Sequence, residues 1–473
     1  MILLSIALPF AHTFYPSKGE RTSHASMTFR PRWLYASVFS WISLVGGRFL
    51  APFLENVCDL STSQIGLCLA LQAALATLLG SHCGALADRL ERQQPGKGRA
   101  RVILVGIVLG TLCFLSHAIW THAWQHIVIQ MGFAACSSLV FPVLDGLTLD
   151  FLEDRSEYGK ERLWGAVTWA VASVTAAPLL DLYGFKSLYP CGVVTGLGMV
   201  LTLILYMRSS SNVRMTKRDS NVIDADDPVV QETVEEVATS ETIPVHVLLG
   251  ILVGTPYAIA FVIAIVTLAS GQAVVDSLIF LFFEELGGSY TVMGWTVVLT
   301  VAFEIPIFHV APRLLEKLGT GYLLLLAGLA YTTRVLGYTL VPDGHMYWVL
   351  LLEPLHGVTY ACSTTAVVHF CDHLMPKGYE ASGQGLVALF RGTGSTIGLW
   401  LGGRLEEAWG PRSMYRGSVA SVAAGMMTLF LATRWCGPRD EHQDRELVAQ
   451  DELELSETVS TAMDDLDNNE GLQ

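Results

Sequence analysis

Residues 257–283 read YAIAFVIAIVTLASGQAVVDSLIFLFF, a run of 27 residues in which Asp276 is the single charged side chain. The hydrocarbon core of a bilayer is about 30 Å thick, and an α-helix needs about 20 apolar residues to cross it. A run of this length predicts a membrane-spanning helix. An ionisable side chain at membrane depth is costly, so Asp276 needs a partner or a hydrated cavity.

The composition of the whole chain agrees with this prediction. Of 473 residues, 52% are hydrophobic and only 15% are charged, whereas soluble domains carry about 25% charged residues. The net charge of −14 arises in residues 208–242 and 436–473, and the remainder is neutral on balance. Nucleic-acid binding would need clustered positive charge, and a disordered chain would lack the apolar residues. A multi-pass membrane protein remains.

Twelve apolar segments are separated by polar turns. The predicted spans are 33–54, 65–86, 102–120, 126–149, 163–180, 188–207, 257–283, 293–310, 322–340, 346–371, 383–403 and 414–433. The stretch 245–283 is too long for one span and too short for two. We divide it at Pro256, because proline begins helices well and continues them poorly. The predicted fold is an all-α membrane protein with twelve transmembrane helices in two six-helix pseudo-repeats.

The basic residues of the loops predict the orientation. With the N-terminus in the cytoplasm, the inner segments hold 22 Lys and Arg residues, and the outer loops hold 4, namely Lys186, Arg404, Arg412 and Arg416. Cytoplasmic loops are enriched in Lys and Arg. Both termini and the central loop are therefore predicted to be cytoplasmic. This orientation is the same for a plasma membrane and for an organelle membrane.

The same patterns divide the chain into five parts. They are a cytoplasmic leader (1–32), an N-terminal six-helix bundle (33–207), a charged cytoplasmic linker (208–244), a C-terminal six-helix bundle (245–435) and an acidic cytoplasmic tail (436–473). The C-terminal bundle begins with an interfacial segment (245–254). The leader is either disordered or upstream of a true start at Met27, because it lacks the basic region of a signal peptide and the apolar run at its start is too short to span. The tail is predicted to be disordered, and it either stays solvated or recruits a partner.

Between the second and third spans the sequence reads GALADRLER, from Gly84 to Arg92. This resembles the signature loop of the major facilitator superfamily, a glycine followed by Leu-Ala-Asp-Arg and further basic residues. Glu91 replaces the second glycine of the family. The resemblance implies that Gly84 permits a close helix approach and that Asp88, Arg89 and Arg92 form a gating loop. An acidic group at a helix end can pair with a basic group in one conformation and release it in another.

Three further stretches narrow the resemblance. They are YGKERLWG at 158–165, FLFFEELGGS at 280–289 and EPLHGVTYA at 353–361. They are similar to the branch that contains the "major facilitator superfamily domain-containing protein six" proteins and, more distantly, to proton-linked oligosaccharide and nucleoside permeases. The similarity covers about residues 33–435 without the central loop. It implies a transporter fold and leaves the substrate open.

Four ionisable residues lie at similar depths inside different spans. Arg48, Asp276, Arg334 and Glu353 are each six or seven residues from the predicted outer end of their span, which is about 10 Å along a helix. They are predicted to form one layer, in which each needs a partner, a hydrated cavity or a functional role. Arg391, near the middle of the eleventh span, is a candidate to hold an anionic group of a solute or a carboxylate of the protein.

Glu353 and His356 are three residues apart on one helix face, where they can share a proton. With Arg334 they resemble the Arg, His and Glu group that couples protons in lactose-type permeases, with the order of His and Glu reversed. Movement of Arg334 would switch the proton affinity of Glu353 between states. The alternative is a static Arg334–Glu353 pair, with His356 bonded to a backbone carbonyl. Asp145 and Glu304 lie nearer the inner ends and are predicted to anchor loops or take part in gating.

The predicted function is secondary active transport by alternating access, as proton-coupled symport of a small polar organic solute. The more distant similarity to oligosaccharide and nucleoside permeases makes a sugar- or nucleoside-like solute one option. The expected partners are this solute, a proton and the lipid bilayer, without nucleic acid. The alternative is a non-transporting receptor or scaffold with the same fold. No P-loop or catalytic triad is evident, and the cysteines lack zinc spacing. The sequence therefore predicts no enzyme, cofactor or metal. His117 lies alone on an apolar helix and is predicted to be a structural histidine.

Overall fold

The computed structural model describes residues 29–152, 158–221, 245–375 and 380–435. Within these ranges the regular secondary structure is helical, and none of the described residues forms a β-strand. The predicted tail and most of the predicted leader and linker lie outside the described residues.

The described part of the N-terminal half contains eight α-helices. They are α1 (Arg32–Val45), α2 (Leu50–Asn56), α3 (Thr62–Gln93), α4 (Gly98–Ser116), α5 (Ala123–Ser138), α6 (Phe141–Phe151), α7 (Tyr158–Tyr183) and α8 (Leu188–Asn221). The first predicted span is divided between α1 and α2, and the fourth between α5 and α6. Helix α8 continues past residue 207 into the predicted linker.

The described part of the C-terminal half contains seven α-helices. They are α9 (Val245–Leu252), α10 (Pro256–Glu285), α11 (Tyr290–Leu318), α12 (Thr320–Leu340), α13 (Pro354–Leu374), α14 (Glu380–Trp409) and α15 (Pro411–Trp435). A helix break precedes Pro256, and the hydroxyl of Thr255 accepts a hydrogen bond from the backbone nitrogen of Ala258 at 3.1 Å. Such a cap satisfies one of the free N–H groups at a helix start. A short 3₁₀ helix, Met346–Leu351, precedes α13.

Each predicted span coincides with one helix or with two consecutive helical segments. Nine helical segments among the described residues are long and apolar enough to cross a bilayer, and they correspond to the first nine predicted spans. The helices α13, α14 and α15, at the last three predicted spans, carry more glycine and polar residues. The all-helical membrane fold is therefore confirmed, while the count of twelve spans and their orientation remain predictions.

The two halves contact each other mainly through two antiparallel helix pairs, α3 with α14 and α7 with α11. In the first pair, a Cβ atom added to Gly66 would lie 2.7 Å from the Cα atom of Gly403. In the second pair, a Cβ atom added to Gly294 would lie 2.8 Å from the Cβ atom of Ala177. Small residues allow membrane helices to approach closely, and these contacts lie near the predicted outer end.

Carboxylates of each half cap helices of the other half at the predicted outer end. The carboxylate of Asp181, in α7, accepts from the backbone nitrogens of Tyr290 at 2.8 Å and Thr291 at 2.9 Å, where α11 begins. The carboxylate of Glu407, in α14, accepts from the backbone nitrogen of Ser63 at 2.8 Å, where α3 begins. Negative charge is favourable at a helix N-terminus. These contacts close the predicted outer end in the described state.

Candidate functional site between the two halves

Arg48 and Asp276 join the two halves. Arg48 lies between α1 and α2, Asp276 lies in α10, and Nη2 of Arg48 donates to Oδ1 of Asp276 at 3.1 Å. The side chain of Asp276 is 43% exposed and that of Arg48 is 10% exposed. Asp276 also lies within electrostatic range of Glu304 and Arg334 of its own half. It therefore belongs both to this contact between the halves and to the charged cluster of the C-terminal half.

Glu353 lies at the junction between the 3₁₀ helix and α13, immediately before Pro354. The residue is 1% exposed. Its carboxylate accepts from the hydroxyl of Thr300 in α11 at 2.9 Å and from the hydroxyl of Tyr338 in α12 at 2.7 Å. A buried carboxyl group needs such donors in place of water. Two neighbouring helices thus supply the neutral donors that hold Glu353.

Arg334 is buried in α12 and lies close to Glu353 without a direct bond to it. Its guanidinium carbon is 5.7 Å from the centre of the Tyr338 ring, and Tyr338 in turn donates its hydroxyl to Glu353. Nε, Nη1 and Nη2 of Arg334 all lack a hydrogen-bond partner. A direct Arg334–Glu353 ion pair, which the alternative interpretation of the sequence would require, is therefore absent among the described residues, and the two charges interact only at longer range.

His356 is buried one turn after Glu353 on α13. Its ring stacks on Tyr360 with a centroid distance of 6.1 Å and an interplanar angle of 7°, and its Nδ1 atom has no hydrogen-bond partner. No hydrogen bond between the side chains of Glu353 and His356 is found in the described part of the chain. The predicted sharing of a proton is thus not direct in this state.

Tyr360 connects the predicted residues to a wider set of charges. It lies in α13, within range of the charges of Glu304 in α11, Arg391 in α14, Arg162 in α7 and Asp276 in α10. The half-buried Arg391 therefore belongs to the same site as the other predicted residues. Arg162 comes from the N-terminal half, so both halves contribute charges to the site.

Four residues of this site are not predicted by the sequence, namely Thr300, Tyr338, Tyr360 and Arg162. Hydroxyl groups are common in apolar segments and give no charge signal, so Thr300 and Tyr338 cannot be distinguished from packing residues. Arg162 precedes the predicted fifth span and reads as an ordinary basic residue of an inner loop. The position of Tyr360, one turn after His356, is a weak signal for the stacked ring.

Comparison with known proteins supplies the family. Residues 33–417 match the MFS_1 like family, and the match spans both halves and every residue of the site described above. The chain belongs to the MFS_1 like family.

Two bacterial proteins are similar to most of the chain. A maltose permease of Geobacillus stearothermophilus is 23% identical over 395 residues, which cover 81% of this chain and 90% of the relative. An uncharacterized transporter of Bacillus subtilis (strain 168), YwbF, is 22% identical over 394 residues, which cover 81% of this chain and 88% of the relative. The MFS_1 like protein described here is therefore a membrane transporter and not an enzyme.

Solved structures share the fold at low sequence identity. The nucleoside transporter NupG aligns with a TM-score of 0.63 at 12% identity, over 86% of this chain and 97% of its own. The peptide transporter POT in complex with alafosfalin aligns with a TM-score of 0.61 at 15% identity, over 86% of this chain and 93% of its own. These similarities show that the chain shares the fold of these transporters, and together with the family match they confirm the fold of the major facilitator superfamily.

In this MFS_1 like protein the signature loop joins three helices of the N-terminal half. Nη2 of Arg99, in α4, donates to Oδ1 of Asp88, in α3, at 2.6 Å. Nη1 of the same side chain donates to the backbone carbonyl of Gly146, in α6, at 3.3 Å. Arg89 and Arg92 are exposed. Asp88 thus pairs with a basic residue as expected, but this residue is Arg99.

The close approach predicted at Gly84 occurs instead at Gly98. A Cβ atom added to Gly84 would meet nothing within 4 Å, whereas one added to Gly98 would lie 2.3 Å from the carbonyl carbon of Leu90. The prediction for Gly84 is therefore wrong for the described state. Glu91, which replaces the second glycine of the family, accepts from the backbone nitrogen of Arg99 at 3.0 Å. This bond caps the first turn of α4.

Asp145 and Glu304 have different surroundings, although the sequence places both towards the inner ends of their spans. Asp145, in α6, accepts from the hydroxyl of Tyr35 at 2.6 Å and so connects α6 to α1. Glu304, in α11, interacts electrostatically with Asp276, Arg48 and Arg162. Asp145 therefore links helices within one half, and Glu304 belongs to the site between the halves.

Proposed function

We propose that the protein is a proton-coupled symporter of a small polar organic solute and that it works by alternating access between its two halves. The observation that carries the proposal is Arg334, a buried guanidinium whose three nitrogens have no hydrogen-bond partner. Burial of a cation without acceptors is unfavourable. Arg334 is therefore poised to bind an acceptor, either a group of the solute or the ionised carboxylate of Glu353.

Glu353 is the proposed proton-binding group. In the described state Tyr338 separates it from Arg334, and two neutral hydroxyls donate to it. An approaching guanidinium would favour the ionised carboxylate and release a proton, and withdrawal of the guanidinium towards a solute would favour proton uptake. His356, with its unpartnered Nδ1 atom, is the second group placed to receive the proton.

Arg48 and Asp276 are proposed to link solute binding to the movement of the halves. Their ion pair joins α10 to the break between α1 and α2, and the exposed carboxylate of Asp276 can accept from a solute hydroxyl. With the predicted outer end closed by Asp181 and Glu407, solute would exchange with the predicted cytoplasmic side. Opening of the outer end would require both carboxylate caps to break.

The solute is proposed to be sugar- or nucleoside-like. The site offers guanidinium donors in Arg334 and Arg391 and a carboxylate acceptor in Asp276, and hydroxyl groups can bond to either kind of group. The relative named as a maltose permease and the structural similarity to the nucleoside transporter NupG support this class. Maltose and uridine are therefore the first probes for a transport assay.

The test uses the full chain purified and reconstituted into liposomes. We expect radiolabelled maltose or uridine to accumulate above equilibrium when a proton gradient is imposed, and not when the gradient is collapsed by a protonophore. A dipeptide completes the probe set. Movement of a solute without dependence on the gradient would contradict proton coupling. A receptor or scaffold would move none of the three under any gradient, and this result would overturn the transport mechanism for this solute class.

The decisive variant is Glu353→Gln. It should abolish uphill accumulation and preserve equilibrium exchange of the solute, because exchange needs the conformational change but no net proton movement. Glu316→Gln, at an exposed position on α11, is the matched control and should behave like the wild type. If Glu353→Gln still accumulates solute uphill, or if exchange is lost as completely as accumulation, Glu353 is not the coupling site.

A further inference from the structure

Three metal-ligating side chains meet in the N-terminal half, away from the site between the halves. Cys58 follows α2, His117 follows α4 and His126 lies in α5. Sγ of Cys58 is 3.8 Å from Nδ1 of His117, and this atom is 2.8 Å from Nδ1 of His126. One ligand atom from each residue fits within 4.8 Å of the others, and all three residues are buried. The expectation that His117 is a single histidine is therefore wrong.

Polar neighbours orient the two rings. Gln130 donates its amide to Gln72 at 2.8 Å and presents its Oε1 atom to Nε2 of His117 at 3.4 Å. The His126 ring has the backbone carbonyl of Trp120 as its acceptor. A neutral imidazole has one N–H. When Gln130 holds the proton of His117 on Nε2, the Nδ1 atom of His117 presents a lone pair towards Nδ1 of His126. A cation between the two Nδ1 atoms would bind this lone pair.

We propose that Cys58, His117 and His126 bind a zinc ion through Sγ and the two Nδ1 atoms. Tetrahedral zinc with bonds of about 2.1 Å to nitrogen and about 2.3 Å to sulfur needs ligand separations of about 3.4 Å between nitrogens and about 3.6 Å between sulfur and nitrogen. The observed separations of 2.8 Å and 3.8 Å reach this arrangement with small side-chain shifts. Thiolate and imidazole are the ligands that zinc prefers over calcium or magnesium.

The surroundings fit a zinc site with one open position. In zinc sites, a histidine ligand usually donates the N–H of its other ring nitrogen to a nearby acceptor, which fixes the tautomer and the ring orientation. Gln130 is placed to be this acceptor for His117. Phe53 packs its ring against His117 at 5.7 Å and against Tyr189 at 5.7 Å. The hydroxyl of Tyr189 is buried without a hydrogen-bond partner and lies close enough to Cys58 to interact electrostatically. A water in the fourth zinc position would give this hydroxyl a partner.

A bound zinc ion would connect three segments that the chain brings together from a distance. Cys58 and His117 are 59 residues apart in sequence, and the ion would join the end of α2 to α4 and α5. Helix α2 also carries Asn56, whose side chain donates to Glu284 of the C-terminal half at 3.3 Å. The ion would therefore stiffen the element of the N-terminal half that contacts the other half at the predicted outer end.

The test measures zinc retained by the full-length protein. The purified chain is stripped with a chelator, exposed to excess zinc chloride and desalted, and its zinc is measured by mass spectrometry. We expect about one zinc per wild-type chain, and Cys58→Ser and His126→Gln should each lose most of it. Cys362→Ser, at a buried thiol of the other half, and His309→Gln, at an exposed histidine, should retain the wild-type content.

Thermal unfolding provides a second measurement. Zinc should raise the melting temperature of the wild type and of the two control variants, because a ligand that binds the folded state stabilises it, and it should leave Cys58→Ser and His126→Gln unchanged. Magnesium should have no effect on any of them. A wild-type protein that retains no more zinc than Cys58→Ser, or control variants that lose zinc equally, would overturn the proposal in favour of a simple hydrogen bond between the two histidines.

Discussion

The two halves of the molecule treat their buried charges differently. In the N-terminal half, the carboxylate of Glu161 accepts from the backbone nitrogen, Nε and Nη2 of Arg32, at 2.6 to 3.2 Å. Glu161 is 5% exposed, and its charge is matched by a guanidinium with bidentate geometry. In the C-terminal half, Arg334 is 1% exposed and none of its nitrogens has a partner.

The difference separates a structural pair from a group that is ready to change partners. A buried ion pair with complete hydrogen bonds fixes the geometry of its helices, and removal of one partner is costly because the other charge stays buried. A buried cation without acceptors is stabilised by any arrangement that supplies an acceptor. A ligand shifts a protein from one state to another when it interacts more favourably with the second state. This contrast supports our placement of the coupling site in the C-terminal half.

The largest expected effect comes from Arg334→Gln. Loss of the charged donor should lower the uptake rate of a transported solute by about 30-fold or more, since removal of one partner of a buried charged contact costs about 2 kcal/mol or more. The melting temperature should stay unchanged or rise, because an unpaired buried cation is removed. Arg404→Gln, at an exposed arginine of α14, is the control. Normal uptake with a large loss of stability would make Arg334 a structural residue.

Glu161→Gln should have the opposite signature. It leaves Arg32 with a neutral partner in a largely buried place, and we expect the free energy of unfolding to fall by about 2 kcal/mol. Uptake per folded molecule should stay at the wild-type level. Denaturant or thermal unfolding of the purified variant, with Glu316→Gln as the control, measures the loss of stability. Uptake into proteoliposomes measures the transport activity per folded molecule. Abolished uptake at unchanged stability would remove the contrast between the halves.

Asp88→Asn should have the smallest effect. The Asp88 side chain is 55% exposed, and exposed pairs contribute about 0 to 1 kcal/mol to stability. We expect uptake to slow a few-fold and the apparent affinity for the solute to change by less than about threefold, because a loop charge at a helix end biases conformational exchange without contacting solute. Asp372→Asn, at an exposed position of α13, is the control. A large loss of affinity at unchanged turnover would contradict a gating role.

Residues of the candidate site differ in how well the sequence predicts them. Asp276 and Arg334 are easy to select as candidates because charges inside apolar segments are conspicuous. The structure pairs Asp276 with Arg48 of the other half and buries Arg334 within its own half. Tyr338 escapes prediction, although it intervenes between Arg334 and Glu353, because a tyrosine in an apolar helix is most often a packing or interface residue. Gly84 is predicted by a motif, yet the close approach occurs at Gly98.

The sequence by itself determined the class of the protein. A segment of 20 apolar residues in a bilayer must satisfy its backbone hydrogen bonds internally, so it forms a helix whatever its neighbours are. Only the tertiary structure decided which side chains meet, as Arg99 does with Asp88 or Cys58 with His117 and His126. Helix neighbours depend on the fit of small side chains such as Gly66 against Gly403. In a membrane helix, faces that meet lipid and faces that meet another helix are both mostly apolar, so hydrophobic periodicity does not show which faces pack together.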